Sequence, residues 1–229
     1  MLVSTRDGGH VYKSHLELIG GSLWSALEGL APQRVRPARS LLLRQGDPAT
    51  HVIMLDAGST LITLTGQRGE RALLAVRGAG DLLGELAVLD EQPRTASVIA
   101  AEACHVRIIP ASEFLAFVEE HRLLAPLLRH AITRVREAET VRLELSTASV
   151  PVRLASALGR LSAAASSTAS GLVVRLTQTE LSQMIGASRN AVGNALRPWR
   201  EAGWVTTESG GGLLIRNIGA IQSHAHTQA

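Results

Sequence analysis

The sequence predicts an α+β protein: an N-terminal antiparallel β-roll (a jelly roll), a long helix, and a C-terminal helical unit that ends in a hairpin. Three patterns support this order. Short apolar runs separated by glycine recur over residues 39–109, as in antiparallel barrels and jelly rolls. Apolar residues then recur at alternating spacings of four and three over residues 123–146, as in a paired helix. Finally, two capped helical segments precede a glycine-rich hairpin within residues 177–215.

The predicted strands of the roll are short, and turn residues separate them. They occupy residues 41–43, 52–55, 61–64, 73–76 and 103–108. Before the roll, residues 15–30 predict an amphipathic helix that Gly20 and Gly21 weaken at its centre. After the roll, Ser112 starts a short helix that runs to about Glu120.

Composition narrows the class of protein. The chain has 229 residues, of which 45% are apolar, so it can bury one large core or two smaller ones. No apolar run reaches the roughly 18 residues that span a membrane, and residues 1–14 lack the apolar segment of a secretion signal. We therefore expect a cytoplasmic protein without membrane contact. The single cysteine, Cys104, excludes an intramolecular disulfide and an all-cysteine iron–sulfur cluster, and its strand context predicts a small buried side chain.

Positive charge is concentrated in the C-terminal part. Residues 1–149 carry 16 basic and 17 acidic side chains, whereas residues 150–229 carry 7 basic and 3 acidic ones. A basic excess on one unit suits a nucleic-acid partner, although this excess is small. Aromatic residues make up only 3% of the chain, so we do not expect aromatic stacking to be the main binding device.

The most informative stretch is 84–96, where Gly84 and Glu85 precede Arg94 and Thr95 inside a β-rich region. The forked guanidinium of Arg94 can neutralise a phosphate, which Thr95 and free backbone N–H groups around Gly84 can also hold. Glu85 can accept a hydrogen bond from a sugar hydroxyl, and a glycine lets the backbone approach a ligand closely. The alternative is a β-hairpin with a surface glutamate and arginine and no ligand.

The long helix, from about Leu123 to Ser146, carries an apolar seam with one charged member. The members of this seam are Leu124, Leu128, Ala131, Val135, Ala138, Arg142 and Leu145. We expect the seam to pair two copies of the chain; the alternative is a surface helix that packs only on its own domain. Residues 146–151 predict a hinge, 152–165 a further helix and 166–171 a small polar loop.

Two short helices are predicted next. Thr177-Gln178-Thr179-Glu180 is a capping box that starts a helix at about Gln178, and Gly186 ends that helix. Ser188 caps a second helix with an apolar inner face. The outward residues of this second helix share one face and are Arg189, Asn190, Gly193, Asn194 and Arg197. Strands at 204–207 and 213–215 flank Gly210-Gly211-Gly212, so the unit is a predicted winged helix-turn-helix.

Pro198 lies inside the second helix. There it removes one backbone hydrogen bond and costs roughly 3 kcal/mol unless the helix accommodates it. We expect a kink near residues 194–197; the alternative is that the helix ends early.

The 84–96 stretch and the helix-turn-helix, in this order, resemble the CRP/FNR family of bacterial transcription regulators over roughly residues 20–216. The resemblance implies a homodimer that binds a pseudo-palindromic, double-stranded DNA operator, contacts RNA polymerase and responds to a cyclic nucleotide. The implied ligand-binding residues are Gly84, Glu85, Leu86, Ala87, Arg94, Thr95, Ala138 and Glu139. The implied DNA-binding residues are Thr177, Gln178, Ser188, Arg189, Asn190, Gly193, Asn194 and Arg197.

Departures from a well-known cAMP-responsive pattern leave the operator and the effector open. Arg189 matches the family's leading groove arginine, but Asn190 replaces a glutamate and Asn194 a second arginine, and asparagine suits adenine. Ala138 and Glu139 stand where that pattern holds the base with a Thr-Ser pair. cAMP is therefore the first candidate effector and cGMP the second, and a pocket that no longer needs cAMP is the alternative. The pocket region offers no histidine or cysteine pair that would indicate haem.

Two function classes remain: a ligand-responsive DNA-binding regulator, and a cyclic-nucleotide-binding module that regulates a protein partner. The sequence has no nucleophile–base set, metal motif or Walker loop, so we expect no enzyme, no catalytic residue, no metal and no required cofactor. The predicted division is a flexible tail at 1–13, the β-roll domain at 14–123, the dimerisation helix and hinge at 124–149, the winged helix-turn-helix domain at 150–219 and a flexible tail at 220–229.

Overall fold

The structure is a computed structural model that describes residues 13–162, 166–168, 171–208 and 212–227, with the backbone alone at 166–168. Parts of five predicted segments lie outside the described residues: the N-terminal tail at 1–12, the end of a helix at 163–165, two residues of the polar loop at 169–170, the hairpin tip at 209–211 and the chain end at 228–229. The predicted α+β order of roll, long helix and winged helical unit is confirmed.

Two short helices precede the roll, where the sequence predicted a single helix over 15–30. They are α1 (His15–Ile19) and α2 (Gly21–Glu28). Gly20 separates them because its φ of 85° lies in the region that glycine adopts without steric cost. Ser14 starts α1 through a capping box with Glu17.

The roll consists of two antiparallel sheets. Its strands are β1 (Gln33–Arg36), β2 (Leu41–Leu43), β3 (His51–Ala57), β4 (Ser59–Thr65), β5 (Arg71–Gly78), β6 (Asp81–Leu83), β7 (Ser97–Ala100) and β8 (Cys104–Pro110). One sheet has the strand order β1-β8-β3-β6 and the other has the order β2-β7-β4-β5. Two helices accompany the strands: α3 (Glu85–Leu89) connects β6 to β7, and α4 (Ala111–Glu120) follows β8.

Strand β3 is apolar on both faces because both faces are covered. Ile53 and Leu55 pack between the two sheets, whereas Val52 and Met54 pack beneath α2 and α4. Successive side chains of a strand point to opposite faces, so a strand covered on both sides has no polar face. Cys104 is fully buried between the sheets, as predicted. Burial and the charge of Glu102 raise the pKa of its thiol to about 11, so Cys104 acts as a small hydrophobe.

The long helix α5 (Leu124–Thr147) begins and ends within one residue of the predicted bounds. On the side that faces its own roll, Leu127 and His130 are buried. The next helix, α6 (Val150–Leu161), has Ser149 as its N-cap and Pro151 in its first turn, a position where proline is tolerated. Only two residues lie between the helices, so the segment 146–151 that was predicted as a hinge overlaps both of them. The hinge itself stays a prediction.

The C-terminal unit is the predicted winged helix-turn-helix with three further elements, two strands directly after α6 and a helix at its end. Its elements after α6 are β9 (Ser166–Thr168), β10 (Gly171–Val174), α7 (Gln178–Ile185), α8 (Arg189–Glu201), β11 (Val205–Thr207), β12 (Leu213–Ile215) and α9 (Ile218–Thr227). The polar loop predicted over 166–171 is wrong, because β9 pairs with β10 at the edge of a sheet of order β11-β12-β10-β9. The flexible tail predicted from 220 is also wrong, because Ile221 and Ala225 bury one face of α9 and α9 packs against α6.

Helix α8 continues through Pro198 to Glu201, so the alternative that it ends early is wrong. Trp199, directly after the proline, is fully buried and anchors the last turns of the helix to the core of the unit. The kink expected near residues 194–197 stays a prediction.

The C-terminal unit packs against the roll through α7 and β5. Leu73 of β5 belongs to the same buried apolar cluster as the inner face of α7. Two ion pairs cross the boundary at its edge: Arg39 with Glu180, and Arg175 with Glu102 at 3.8 Å. This packing holds α7 on the roll and leaves the outward face of α8 exposed.

Candidate ligand pocket and nucleic-acid interface

A pocket of about 190 Å³ lies on the roll where β6, α3 and the segment before β7 meet α5. It is lined by Leu43, Ile62, Arg77, Leu82, Leu83, Gly84, Glu85, Leu86, Ala87, Arg94, Thr95, Ala96, Val98 and Arg134. Six of the eight predicted ligand-binding residues therefore line one pocket. The other two, Ala138 and Glu139, are exposed on α5 and are not among its lining residues.

Gly84 forms the tightest part of the pocket wall. Its φ of 80° lies in the left-handed region, and a Cβ atom built on it would meet the Arg94 guanidinium and lie 2.8 Å from Leu43 Cδ1. Both the backbone conformation and the close approach of Arg94 therefore require a glycine.

Replacing Gly84 by alanine will destabilise the fold and displace Arg94. A left-handed conformation at a residue other than glycine costs roughly 1–3 kcal/mol, and the clash with Arg94 adds to that. Urea unfolding measures the loss in the free energy of unfolding. Gly21→Ala is the matched control, because a Cβ there meets nothing within 4 Å. Equal unfolding midpoints for the two variants would contradict this account of Gly84.

Arg94 is buried, and its guanidinium donates hydrogen bonds to two backbone carbonyl oxygens. Its Nη1 donates to the Gly84 carbonyl oxygen at 2.6 Å, and its Nη2 donates to the carbonyl oxygen of His51. Burial lowers the pKa of Arg94, while the charges of Glu85 and Asp47 oppose that shift. Since a guanidinium stays protonated in proteins, these contacts fix a cation at the wall of the pocket.

Glu85 is also buried, and it is an ionised carboxylate. Arg134 Nη1 donates to its Oε1 at 3.0 Å, and His15 Nε2 lies 3.5 Å from the same oxygen. Burial alone would raise the pKa of Glu85, but the hydrogen bond and charge of His15 and the charge of Arg134 lower it to about 2. The carboxylate that the sequence assigned to a sugar hydroxyl is thus already bound to a cation from α5.

Sequence reasoning missed several residues of the pocket lining, including the charged Arg77 and Arg134. Arg134 is the one that comes from outside the roll. It lies on α5, on the side that carries the buried His130 one turn earlier. The helical spacing of these two residues could have indicated a face turned towards the roll. No local pattern, however, relates Arg134 to Glu85, because the two residues lie 49 positions apart.

The two helices of the C-terminal unit have the predicted caps. Thr177 accepts from the Glu180 backbone N–H within a capping box, Gly186 ends α7 in the left-handed conformation, and Ser188 accepts from the Ala191 backbone N–H. Buried residues hold the inner face of α8: Val192, Ala195, Leu196 and Trp199.

The predicted DNA-binding residues lie on the outside of this unit. Those that are exposed are Thr177, Ser188, Arg189, Asn190, Asn194 and Arg197, and those that are half-buried are Gln178 and Gly193. The first turns of α8 thus present arginine and asparagine side chains to solvent from a helix anchored by its apolar face.

Two family profiles match the chain: "cyclic nucleotide-binding domain" over residues 33–121 and "Crp-like helix-turn-helix domain" over residues 152–223. A CRP-like cAMP-activated global transcriptional regulator of Mycobacterium tuberculosis is 28% identical over 184 residues, which cover 78% of this chain and 81% of that protein. The chain belongs to the CRP/FNR family.

Solved structures share the fold of this CRP/FNR protein. FixK2 from Bradyrhizobium japonicum has a TM-score of 0.71 at 18% identity, with 86% of this chain and 96% of that chain covered. The c-di-GMP-responsive global regulator CLP of Xanthomonas campestris has a TM-score of 0.68 at 20% identity, with 86% and 99% covered.

The two profile matches decide between the function classes that the sequence left open. This CRP/FNR protein is a ligand-responsive, DNA-binding transcription regulator with a cyclic-nucleotide-binding domain, and its relatives are regulators rather than enzymes. In the part of the chain that the structure describes, no helix is both long enough and apolar enough to span a bilayer.

The predicted seam of this CRP/FNR protein is an exposed apolar stripe on α5. Leu124, Leu128 and Val135 are exposed by 59%, 58% and 58%, which is unusual for large aliphatic side chains. Sequence reasoning missed two exposed apolar residues beside the stripe, Ile132 and Leu143. Each directly follows a seam residue, Ala131 or Arg142, and so lies about 100° around the helix from it.

Arg189 is the first residue of α8 and is exposed, and we expect it to contact a base as the family resemblance predicts. Replacing it by alanine will cost about 1–3 kcal/mol of DNA-binding free energy and will relax the preference for guanine at one position in each half-site. Selection from a randomised operator library measures both effects. Arg216→Ala, at an exposed arginine after β12, is the control. An unchanged preference at every operator position would contradict this role of Arg189.

Proposed function

We propose that the protein is a homodimeric transcription regulator in which a cyclic nucleotide, cAMP first and cGMP second, binds the roll pocket and controls binding to a pseudo-palindromic operator. The observation that carries the proposal is the fixed cation of Arg94 at a pocket wall that also contains Gly84, Glu85 and Thr95. An anionic phosphate is the natural partner of a buried guanidinium with an adjacent hydroxyl.

The ion pair of Glu85 and Arg134 gives the pocket a way to communicate with the long helix. Because Arg134 belongs to α5 and lines the pocket, a nucleotide that contacts either partner acts on the position of α5 relative to the roll. A cyclic phosphate can attract Arg134, and a ribose hydroxyl can compete for Glu85. The effector would then work by reorganising this pair rather than by meeting a free carboxylate.

The exposed stripe on α5 suits pairing with a second copy. In a parallel pair of α5 helices the two C-terminal units would present α8 to successive major grooves, about 34 Å apart on one face of DNA. The two residues between α5 and α6 form the joint about which these units can turn. We also expect the DNA-bound dimer to contact RNA polymerase.

The test is an operator titration of the full chain with and without cAMP, cGMP and cyclic dinucleotides, together with calorimetry of each nucleotide. A ligand must tighten DNA binding by the same factor by which DNA tightens ligand binding. We expect cAMP to bind and to raise operator affinity. Calorimetric binding without any change in operator affinity would contradict the switch.

A specific observation favours a second candidate, a CRP/FNR protein that binds its operator without cAMP. Ala138 and Glu139 are exposed on α5 and do not line the pocket, and neither offers the hydroxyl pair that holds adenine in cAMP-responsive relatives. Equal and tight operator binding with no nucleotide, with cAMP and with cGMP would support this candidate.

A further inference from the structure

A group of buried polar residues lies between α1, β6 and α5, next to the pocket but outside its lining. His15, Asp81 and His130 are exposed by only 1%, 0% and 8%. Each offers one ligand atom, and these atoms all lie within 4.8 Å of one another. Neither nucleotide binding nor DNA binding, as described above, uses these three residues.

The distances within this group suit a metal ion. His15 Nδ1 lies 3.1 Å from Asp81 Oδ1. Two ligands of one tetrahedral metal with bonds of roughly 2.0–2.2 Å stand about 3.3 Å apart. The ring of His130 lies edge-on to that of His15, with 4.5 Å between the ring centroids. The ligand atom of His130 lies within 4.8 Å of those of His15 and Asp81. A shift of this atom by about 1 Å or more would bring it to the ligand–ligand distance of about 3.3 Å.

His130 supplies an independent sign that a ligand is missing from the group. In the described part of the chain its buried Nε2 has no hydrogen-bond partner, although buried polar atoms are normally satisfied. An ion bound to this Nε2 would give the buried atom the partner that it lacks.

Asp81 and Glu85 are two buried carboxylates, and the guanidinium of Arg134 contacts them at 3.4 Å and 3.0 Å. An ion bound to Asp81 would therefore compete with Arg134 for the same carboxylate.

We propose that His15, Asp81 and His130 bind a divalent transition-metal ion in competition with Arg134. Two imidazoles and a carboxylate suit Zn²⁺, Co²⁺ or Fe²⁺. Arg134 Nη2 lies 3.4 Å from Asp81 Oδ1 and 3.5 Å from His15 Nδ1, and the Leu82 backbone N–H donates to the same nitrogen at 3.1 Å. An ion bound to these two atoms displaces both donors.

His15 lies on α1, a helix of only five residues that starts with the capping box of Ser14. We expect an ion to reach the group by local opening of this short helix, without unfolding of the roll.

The test is titration of the full chain with Co²⁺, followed by absorption spectroscopy, and equilibrium dialysis with Zn²⁺. His224→Gln and His226→Gln are introduced throughout to remove the histidines of α9 as adventitious ligands. We expect one ion per chain with nitrogen and oxygen ligands. His130→Gln should weaken binding by about 100-fold or more. His105→Gln, at an exposed histidine on β8, should leave binding unchanged.

Competition with Arg134 supplies a second, independent readout. Removing the guanidinium in Arg134→Met removes a positive charge next to the ion, so metal affinity should rise on the order of tenfold. An adventitious surface site would not respond to this substitution. Zn²⁺ should also raise the thermal unfolding temperature of Arg134→Met more than that of the parent chain, and a chelator should reverse the rise.

Three results would overturn the proposal. The first is the absence of a bound ion in the parent chain. The second is equal metal affinity in His130→Gln and His105→Gln. The third is unchanged metal affinity in Arg134→Met. This result would overturn the proposal even if circular dichroism shows that His130→Gln does not fold.

Discussion

Replacing Arg94 by leucine will abolish cyclic-nucleotide binding in calorimetry. The guanidinium of Arg94 lies at the pocket wall, where the Gly84 and His51 carbonyls fix it before any ligand arrives. Since no reorganisation is needed, its attraction for a phosphate is fully available to binding. Loss of a buried, charged hydrogen-bond partner typically costs about 2–5 kcal/mol, which weakens binding by about 30-fold or more.

The same substitution will also lower stability, because leucine removes the guanidinium donor from both carbonyl oxygens, and the Gly84 oxygen keeps the longer bond from the Val88 N–H at 3.4 Å. A buried polar group that loses its partner costs about 1–3 kcal/mol. Circular dichroism and urea unfolding therefore accompany the calorimetry, to show that the variant is folded at the temperature of measurement. Arg44→Leu is the matched control, because Arg44 is an exposed arginine just after β2. Unchanged nucleotide affinity in a folded Arg94→Leu variant would remove Arg94 from the site.

Features that depend on neighbours in the sequence could be predicted almost to the residue. The capping box of Thr177 and Glu180, the left-handed Gly186 and the cap at Ser188 each act within four positions. The chemistry of those few residues therefore fixes where α7 and α8 begin and end. The glycine-punctuated strands of the roll were found for the same reason.

Features that depend on distant partners could not be predicted. Glu85 has the spacing of a ligand-binding carboxylate, but its pairing with Arg134 exists only because α5 folds back over the roll. Likewise, His15 and Asp81 are in contact although 66 positions separate them in the sequence. These residues share no local spacing, so they form no recognisable metal motif in the sequence.

Two weak elements were missed because tertiary context outweighs propensity. The small polar residues of β9 become a strand by pairing with β10, and strand propensity depends strongly on such partners. In α9 only Ile221 and Ala225 are buried, which is too short an apolar pattern to distinguish a helix from a tail by sequence alone. Ala138 and Glu139 were placed by alignment with ligand-binding relatives, whereas in the single chain they belong to the exposed side of α5.

Replacing Leu128 and Val135 together by glutamate will convert the proposed dimer to a monomer. Each side chain is 58% exposed in the single chain, and each lies on the apolar stripe of α5. In a symmetric parallel helix pair each substituted position lies opposite the same position of the partner helix. Four like charges would therefore face each other in a seam from which water is excluded. Light scattering at micromolar concentration should show half the mass of the parent protein.

Operator binding should fall with the loss of the dimer. Two linked DNA-binding units bind a two-site operator about 10²- to 10⁴-fold more tightly than a single unit does. A monomer loses that gain in affinity. Val35→Glu with Leu74→Glu is the matched control, because these residues are 63% and 52% exposed on the roll and the same charge is added away from α5. If the parent chain is already a monomer, or if the Leu128/Val135 variant keeps both its mass and its operator affinity, α5 is not the seam. If the variant loses mass while the affinity for a single half-site is unchanged, α5 pairs the chains and α8 reads DNA independently of that pairing.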